Sequence, residues 1–185
     1  HISLQVSSVR EVLPGRTYFL PNTADKQDPL TTTEETIARV LAGLSVPAAK
    51  AVYTSFTGIS PVMAEEFCHL ASIDGRRPAA ELTELERIHL AHTIARTMET
   101  IREGRFSPVI IYRADEPVEF SSFPLTSFPA EYKQRPFDSI SRVLETYYAS
   151  RSAITRIRQK SSDLRRVVQT ALERSQKKYD LQLKQ

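Results

Sequence analysis

Tryptophan is absent from this chain of 185 residues, cysteine occurs once and glycine five times. The lone Cys68 rules out an internal disulfide and fits a reducing compartment, so a cytoplasmic location is expected. No apolar run approaches the ~20 residues that a membrane span needs, and no signal peptide is visible. There is no glycine-rich phosphate loop, nucleophile elbow or metalloprotease motif, so no enzyme active site and no cofactor are expected. The chain opens on His1 and reads as a piece of a longer protein.

Two of the five glycines organise what is present. Residues 41–49 and 56–64 share one pattern: apolar, any, Gly, apolar, Ser, three of any kind, Ala. Gly43 and Gly58 stand where a helix should stop, in the left-handed conformation that closes it. Ser45 and Ser60 stand where the next should start, each followed by a proline in the first turn. That is the sequence form of two helix–hairpin–helix turns back to back. A helix N-terminus offers unpaired amides and partial positive charge, so Gly43, Ser45, Gly58, Ile59 and Ser60 are candidate phosphate-binding residues. Neither turn carries its own basic residue. Arg39, Lys50, Arg76 and Arg77 are nearest, and the plain alternative is two tight turns in a helical bundle.

The fold class expected is mainly α. Residues 1–31 hold strand-like alternation at Ile2, Leu4 and Val6, a turn at Leu13-Pro14-Gly15, and strand composition at 17–20. They read as the trailing segment of a preceding N-terminal domain. A helical domain follows over 32–105. Its first helix is capped by Thr32, with Glu35 at capping-box spacing. Core stripes are expected at Ile37, Val40, Leu41, Leu44; at Ala49, Val52, Tyr53, Phe56; and at Met63, Phe67, Leu70, Ala71. A longer helix starts at Thr83 with Glu86 in a second capping box, buries Leu85, Ile88, His92, Ala95, Met98 and Ile101, and ends at Gly104. Residues 106–136 read as a β-hairpin, 109–112 against 118–123 through a turn at 114–117, and then a proline-broken linker over 124–137.

From 137 to 185 a single helix is expected, capped by Asp138, with no Gly or Pro inside it. Ile140, Val143, Leu144 and Tyr147 mark one face. Ile154, Ile157, Ser161, Leu164, Val168, Ala171 and Ser175 continue at the three–four spacing of a coiled coil. At ~45 residues it would be ~65–70 Å long and would need a partner, either a return arm of the same chain or a second copy. Residues 151–185 carry ten basic side chains against three acidic ones, a net +7, so the overall +3 leaves −4 on residues 1–150. Such one-signed excess suits a polyanion, with Arg156, Lys160, Arg165 and Arg166 the candidate phosphate contacts. The alternative is a solvated coiled-coil face whose charges select the partner helix.

Metal binding finds little support. His89 and His92 lie three apart and Cys68 adjoins His69, short of the three or four converging ligands of a zinc site. His92 reads as a hydrogen-bonded core histidine and Cys68 as core packing.

Several strings resemble one family. They are Val9-Arg10-Glu11-Val12-Leu13-Pro14-Gly15-Arg16 with Tyr18 and Pro21, Asp25-Lys26-Gln27-Asp28-Pro29-Leu30, Gly58-Ile59-Ser60-Pro61, Val118-Glu119-Phe120-Ser121-Ser122-Phe123-Pro124-Leu125, and the stretch from Asp138 through Lys178. Together they resemble the fibronectin-binding protein A-like (RqcH) family, whose eukaryotic relative is the nuclear export mediator factor. The resemblance implies ribosome-associated quality control. Its members bind the obstructed large ribosomal subunit, recruit tRNA and help extend the stalled nascent chain without mRNA, bacterial members adding alanine. The partners implied are ribosomal RNA and protein, tRNA and, from the family name, fibronectin. This chain would hold the middle module and the first half of a coiled-coil arm, acting as an RNA-binding scaffold. The alternatives are a fibronectin-binding adhesin and a purely structural module that homodimerises through the long helix.

Overall fold

The computed structural model describes residues 25–183, so the strands and turn expected within the first 24 residues lie outside the described residues. The chain divides into two compact units, one ending at Arg105 and one starting at Phe106.

The first unit is helical. Its elements are α1 (Glu34–Ala42), α2 (Ala48–Ser55), α3 (Pro61–Leu70), a 3-10 turn at Ala79–Glu81 and α4 (Glu84–Arg102). Thr33, not Thr32, caps α1, its hydroxyl accepting from the Thr36 amide. Thr32 instead donates its hydroxyl hydrogen to the Asp28 carbonyl at 2.6 Å. The α4 capping box at Thr83 and Glu86 forms as expected, both reciprocal bonds being made. Gly104 (φ +66°) follows the end of α4 in the left-handed region.

Ile37 and Leu41 of α1, Val52 and Phe56 around α2, Phe67 and Cys68 of α3, and Leu90 and Ile94 of α4 form one buried core. Two expected stripes are corrected. Leu70 is exposed, and α4 buries Leu90, Ala91, Ile94 and Met98, leaving Leu85, Ile88 and His92 outside. Residues 25–31 are tied into this unit. Gln27 bridges Phe56 in parallel, donating to the Ser55 carbonyl and accepting from the Thr57 amide. The Arg102 guanidinium, at the end of α4, donates to the Leu30 carbonyl.

The second unit is a three-stranded antiparallel sheet with one long helix. β1 (Val109–Arg113) is central, between β2 (Glu116–Ser121) and β3 (Tyr132–Pro136). The β1–β2 turn is tighter than expected. Arg113 pairs with Glu116 across a two-residue loop whose Ala114 sits at φ +53°. Pro117 therefore lies within β2, where an edge strand beside a bulge loses no ladder donor. The stretch 124–137 is not structureless. Residues 132–136 form β3, paired to β1 from Tyr132 opposite Arg113 to Pro136 opposite Val109.

Helix α5 (Ile140–Gln182) is capped by Ser139, whose hydroxyl accepts from the Arg142 amide, rather than by Asp138. Val143 is fully buried. Phe120 of β2 meets Tyr147 edge-on at 4.9 Å and Tyr148 at 6.1 Å. The Tyr147 hydroxyl donates to the carbonyl of Val118, the bulge residue without a cross-strand partner. From Thr155 to Leu183 every residue of the helix is exposed.

Candidate nucleic-acid interface

The two glycine turns are not copies of each other. Ser60 caps α3 by accepting from the Met63 amide at 3.1 Å and Pro61 opens the helix, both as expected; Gly58 is left-handed (φ +78°), but α2 has already ended at Ser55 with Phe56 extended as its cap, so Gly58 turns the connecting loop rather than closing the helix. Gly43 is right-handed (φ −87°), so it does not supply the helix-closing conformation expected of it. Ser45 does not cap α2. The cap position falls on Pro47, which makes no side-chain capping bond.

What satisfies the start of α2 is the loop before α4. The Ala48 amide donates to the Arg77 carbonyl at 2.8 Å and the Ala49 amide to the Gly75 carbonyl at 3.1 Å. Gly75 lets the two segments approach closely, since a Cβ there would stand 3.1 Å from that of Ala49 and would make the Glu65 carboxylate, 2.6 Å away, move aside. Two of the donors that would hold an anion at the first turn, the amides of Ala48 and Ala49, are thus spent on carbonyls. At α3, Pro61 has no amide hydrogen and Met63 is capped, which leaves the Val62 amide. Ile59 belongs to the core, with 8% of its surface exposed.

Two of the four nearby cations, Arg76 and Arg77, are also engaged. Arg76 pairs with Asp74 at 3.1 Å and holds that carboxyl below its usual range, chiefly by side-chain hydrogen bonding. Arg77 pairs with Glu86 at 2.9 Å. Burial pushes the Cys68 thiol up to about 12, with Glu65 and Asp74 adding to it, so it stays protonated and inert at neutral pH. His92 is not a core histidine; its Nδ1 lies on α4, 3.2 Å from both Glu34 carboxylate oxygens. Among the described residues no cluster of metal-ligating side chains forms, and no helix is long and apolar enough to cross a membrane.

Helix α5 sorts its charges by face. In the heptad set by its apolar seam, Ile154, Ser161 and Val168 are a positions and Ile157, Leu164 and Ala171 are d positions. Arg151, Arg158 and Arg165 then fall at successive e positions, and Lys160 and Arg174 at g positions. Arg156 and Arg166 lie on the outer face, as do Asp163, Glu173 and Asp180. The four candidate phosphate contacts therefore do not share a face. Arg165 stands about 180° around the helix from Arg156 at roughly 100° per residue. Two residues absent from the candidate set are anchored. Arg158 donates to both oxygens of Glu116 at 3.0 and 3.1 Å, and Arg151 approaches the same carboxylate at 3.6 Å. Their seven-residue spacing was the available signal.

Residues 1–185 match the family model described as NFACT N-terminal and middle domains. The chain is 30% identical over 168 residues to the Rqc2 homolog RqcH of Bacillus subtilis, covering 91% of this chain and 27% of that protein. It is 25% identical over 185 residues to the Rqc2 homolog RqcH of Streptococcus pneumoniae serotype 2, covering 100% of this chain and 28% of that one. The chain thus spans about a quarter of the length of these relatives. The fibrinogen binding protein from Staphylococcus aureus matches with a TM-score of 0.47 at 20% identity, over 74% of this chain and 46% of that one, too slight a likeness to bear on fold or ligand. With its whole length matched by the family model, the chain belongs to the family of the NFACT N-terminal and middle domains.

Proposed function

We propose that this chain is a non-enzymatic scaffold within a ribosome quality-control factor that binds the obstructed large ribosomal subunit and tRNA and supports mRNA-independent alanine tailing of stalled chains. Family membership over the whole length carries this reading, and the RqcH relatives give it direction. The ten-to-three excess of basic residues over 151–185 supports contact with ribosomal RNA or protein through α5. In this reading Arg156 and Arg166 are the cations turned to a phosphate backbone, since the e and g cations border the apolar seam. The helical unit serves as a hub. Its turn at Gly58–Ser60 joins α2 to α3, and Val62 is the amide there to meet a phosphate.

The test is binding of the full-length protein to large ribosomal subunits and to tRNA across a salt series. Phosphate-mediated association weakens steeply as salt rises. Absence of binding even at low salt, with tight binding to fibronectin, would replace this reading by the adhesin. Changing Arg156 and Arg166 together to Glu should weaken subunit association while leaving the helical circular dichroism intact. Unchanged association would remove the outer face of α5 from the contact.

A further inference from the structure

We propose that the outer edge of β3 takes up an extended segment of a partner protein, one that carries Asp or Glu at alternate positions and apolar residues between them. The sheet has two edges, and they differ. On β2 the polar groups are largely spent within the chain. The Phe120 amide donates to the neighbouring Glu119 carboxylate at 3.0 Å, the Val118 carbonyl accepts from the Tyr147 hydroxyl, and Pro117 has no amide hydrogen. With the irregularity at Ile111/Tyr112 as well, that edge resists a further strand.

The β3 edge is built differently. The Phe137 amide donates to the Pro108 carbonyl at 2.9 Å, which sets the phase of the β1–β3 ladder. Ile110 with Arg135 and Tyr112 with Lys133 are then the hydrogen-bonded pairs. The alternate residues Tyr132, Gln134 and Pro136 turn their backbone groups away from β1. The Tyr132 amide is used by the Pro129 carbonyl at 3.0 Å. The Gln134 amide is the outward donor at the middle of the strand, and the carbonyls of Tyr132, Gln134 and Pro136 are the outward acceptors. Residues 133–136 are exposed, so another strand can reach them.

The side chains select which strand. Lys133 and Arg135 fall on the face that bears Phe120, since Phe120, Ile110 and Arg135 stand in register across the sheet. Among the described residues neither cation pairs with a carboxylate. The nearest acids in sequence, Glu131 and Asp138, lie outside the strand. On the other face Tyr132 meets Phe128 edge-on at 5.2 Å and lies under the Arg113 guanidinium at 5.8 Å. A strand laid on β3 thus sets acids opposite Lys133 and Arg135, and between them an apolar residue opposite Gln134 and beside Tyr132.

A second copy of this chain is a poor occupant. Paired antiparallel about Gln134, each Lys133 would face the other copy's Arg135, and like charges directly opposite destabilise a pair. Basic residues on an edge guard it against indiscriminate pairing, so here charge is a filter that admits an acidic strand. This inference concerns the sheet edge and does not depend on the ribosomal reading.

The 185-residue chain can be titrated at low salt with labelled eight-residue peptides that alternate Val with Glu or Val with Lys. The Val/Glu peptide should bind at least about fivefold more tightly, as cross-strand pairs turn from repulsion to attraction. In the complex the Gln134 amide should gain protection from hydrogen exchange. N-methylation of one alternate set of amides in the Val/Glu peptide should weaken binding at least about tenfold, and of the other set little, because a strand turns only every second amide to its neighbour. A Lys133→Glu, Arg135→Glu variant should reverse the peptide preference with its circular dichroism intact. Equal binding of the two peptides, or no binding of the Val/Glu peptide at millimolar concentration, overturns the proposal. So does binding indifferent to N-methylation of either set, because charge alone would then hold the peptide as it would RNA or any polyanion. None of these outcomes bears on subunit association through α5, which the salt series tests separately.

Discussion

Gly43 and Gly58 hold the same place in the fifteen-residue repeat, yet their φ angles are −87° and +78°. The repeat in sequence is therefore not a repeat in backbone. The first turn is closed from outside, by the carbonyls of Gly75 and Arg77, while the second closes itself through Gly58 and Ser60. A Cβ meets nothing within 4 Å at either glycine, so conformation alone separates them. Gly43→Ala should be neutral or gain about 0.4–1 kcal/mol by restricting the unfolded chain. Gly58→Ala should lose roughly 1–2 kcal/mol, the strain of a left-handed alanine. Urea unfolding of the two variants decides the matter, and equal losses would mean that both turns need a glycine.

Stability should fall in acid, and Glu86 should account for part of the fall. Hydrogen bonding from Arg77, then from the Thr83 amide, holds its carboxyl down to about 2, against 4.5 unperturbed. The folded chain thus binds fewer protons at this site than the unfolded chain. The stabilisation is complete above about 4.5 and is lost as pH drops toward about 2. Asp74, lowered by Arg76, acts in the same direction. Glu86→Gln should flatten the fall in urea midpoint between pH 5 and 2 without removing it. A profile identical to the parent's would show that the Arg77 pair is not coupled to folding.

What the sequence disclosed depended on whether a signal was local. The α4 capping box and the Ser60–Pro61 helix start depend on a few neighbouring residues, and both form as read. Strand β3 was hidden because an edge strand of Tyr-Lys-Gln-Arg-Pro, largely exposed, shows no apolar alternation and lies among prolines. Its partner β1 begins 23 residues earlier, and the pairing supplies what composition does not. The face of α4 was misjudged for a similar reason. Leu85, Ile88, Ala95, Met98 and Ile101 make one helical stripe, and Leu90, Ala91, Ile94 and Met98 make another. The packing of α1 against α4 selects the second. In the candidate interface, charge excess was legible but its allocation to faces was not, because that required the seam register and the position of Glu116.

The two α4 stripes can be told apart by truncation. Leu90 is fully buried, so Leu90→Ala should cost about 2–5 kcal/mol through lost transfer energy and a cavity. Leu85 is 77% exposed, so Leu85→Ala should stay within about 0.5 kcal/mol. Thermal or urea unfolding of both variants checks the assignment. A large loss at Leu85 together with a small one at Leu90 would reverse it.

Hydrogen exchange should divide α5 near Arg158. Up to that point the helix is held to the sheet by Val143, by the Phe120–Tyr147 contact and by Glu116 with its two arginines. Beyond it every side chain is exposed, and helical propensity alone sustains only marginal structure in a segment of about two dozen residues. Amides at 143–154 should therefore exchange orders of magnitude more slowly than those at 162–182. Glu116→Gln should remove one exposed ion-pair cluster, worth no more than about 1 kcal/mol. It should lower protection at 151–158 while sparing 143–147, where ring packing persists. Uniform slow exchange along the whole helix would mean that its far half is already paired, as it would be in a dimer of this chain.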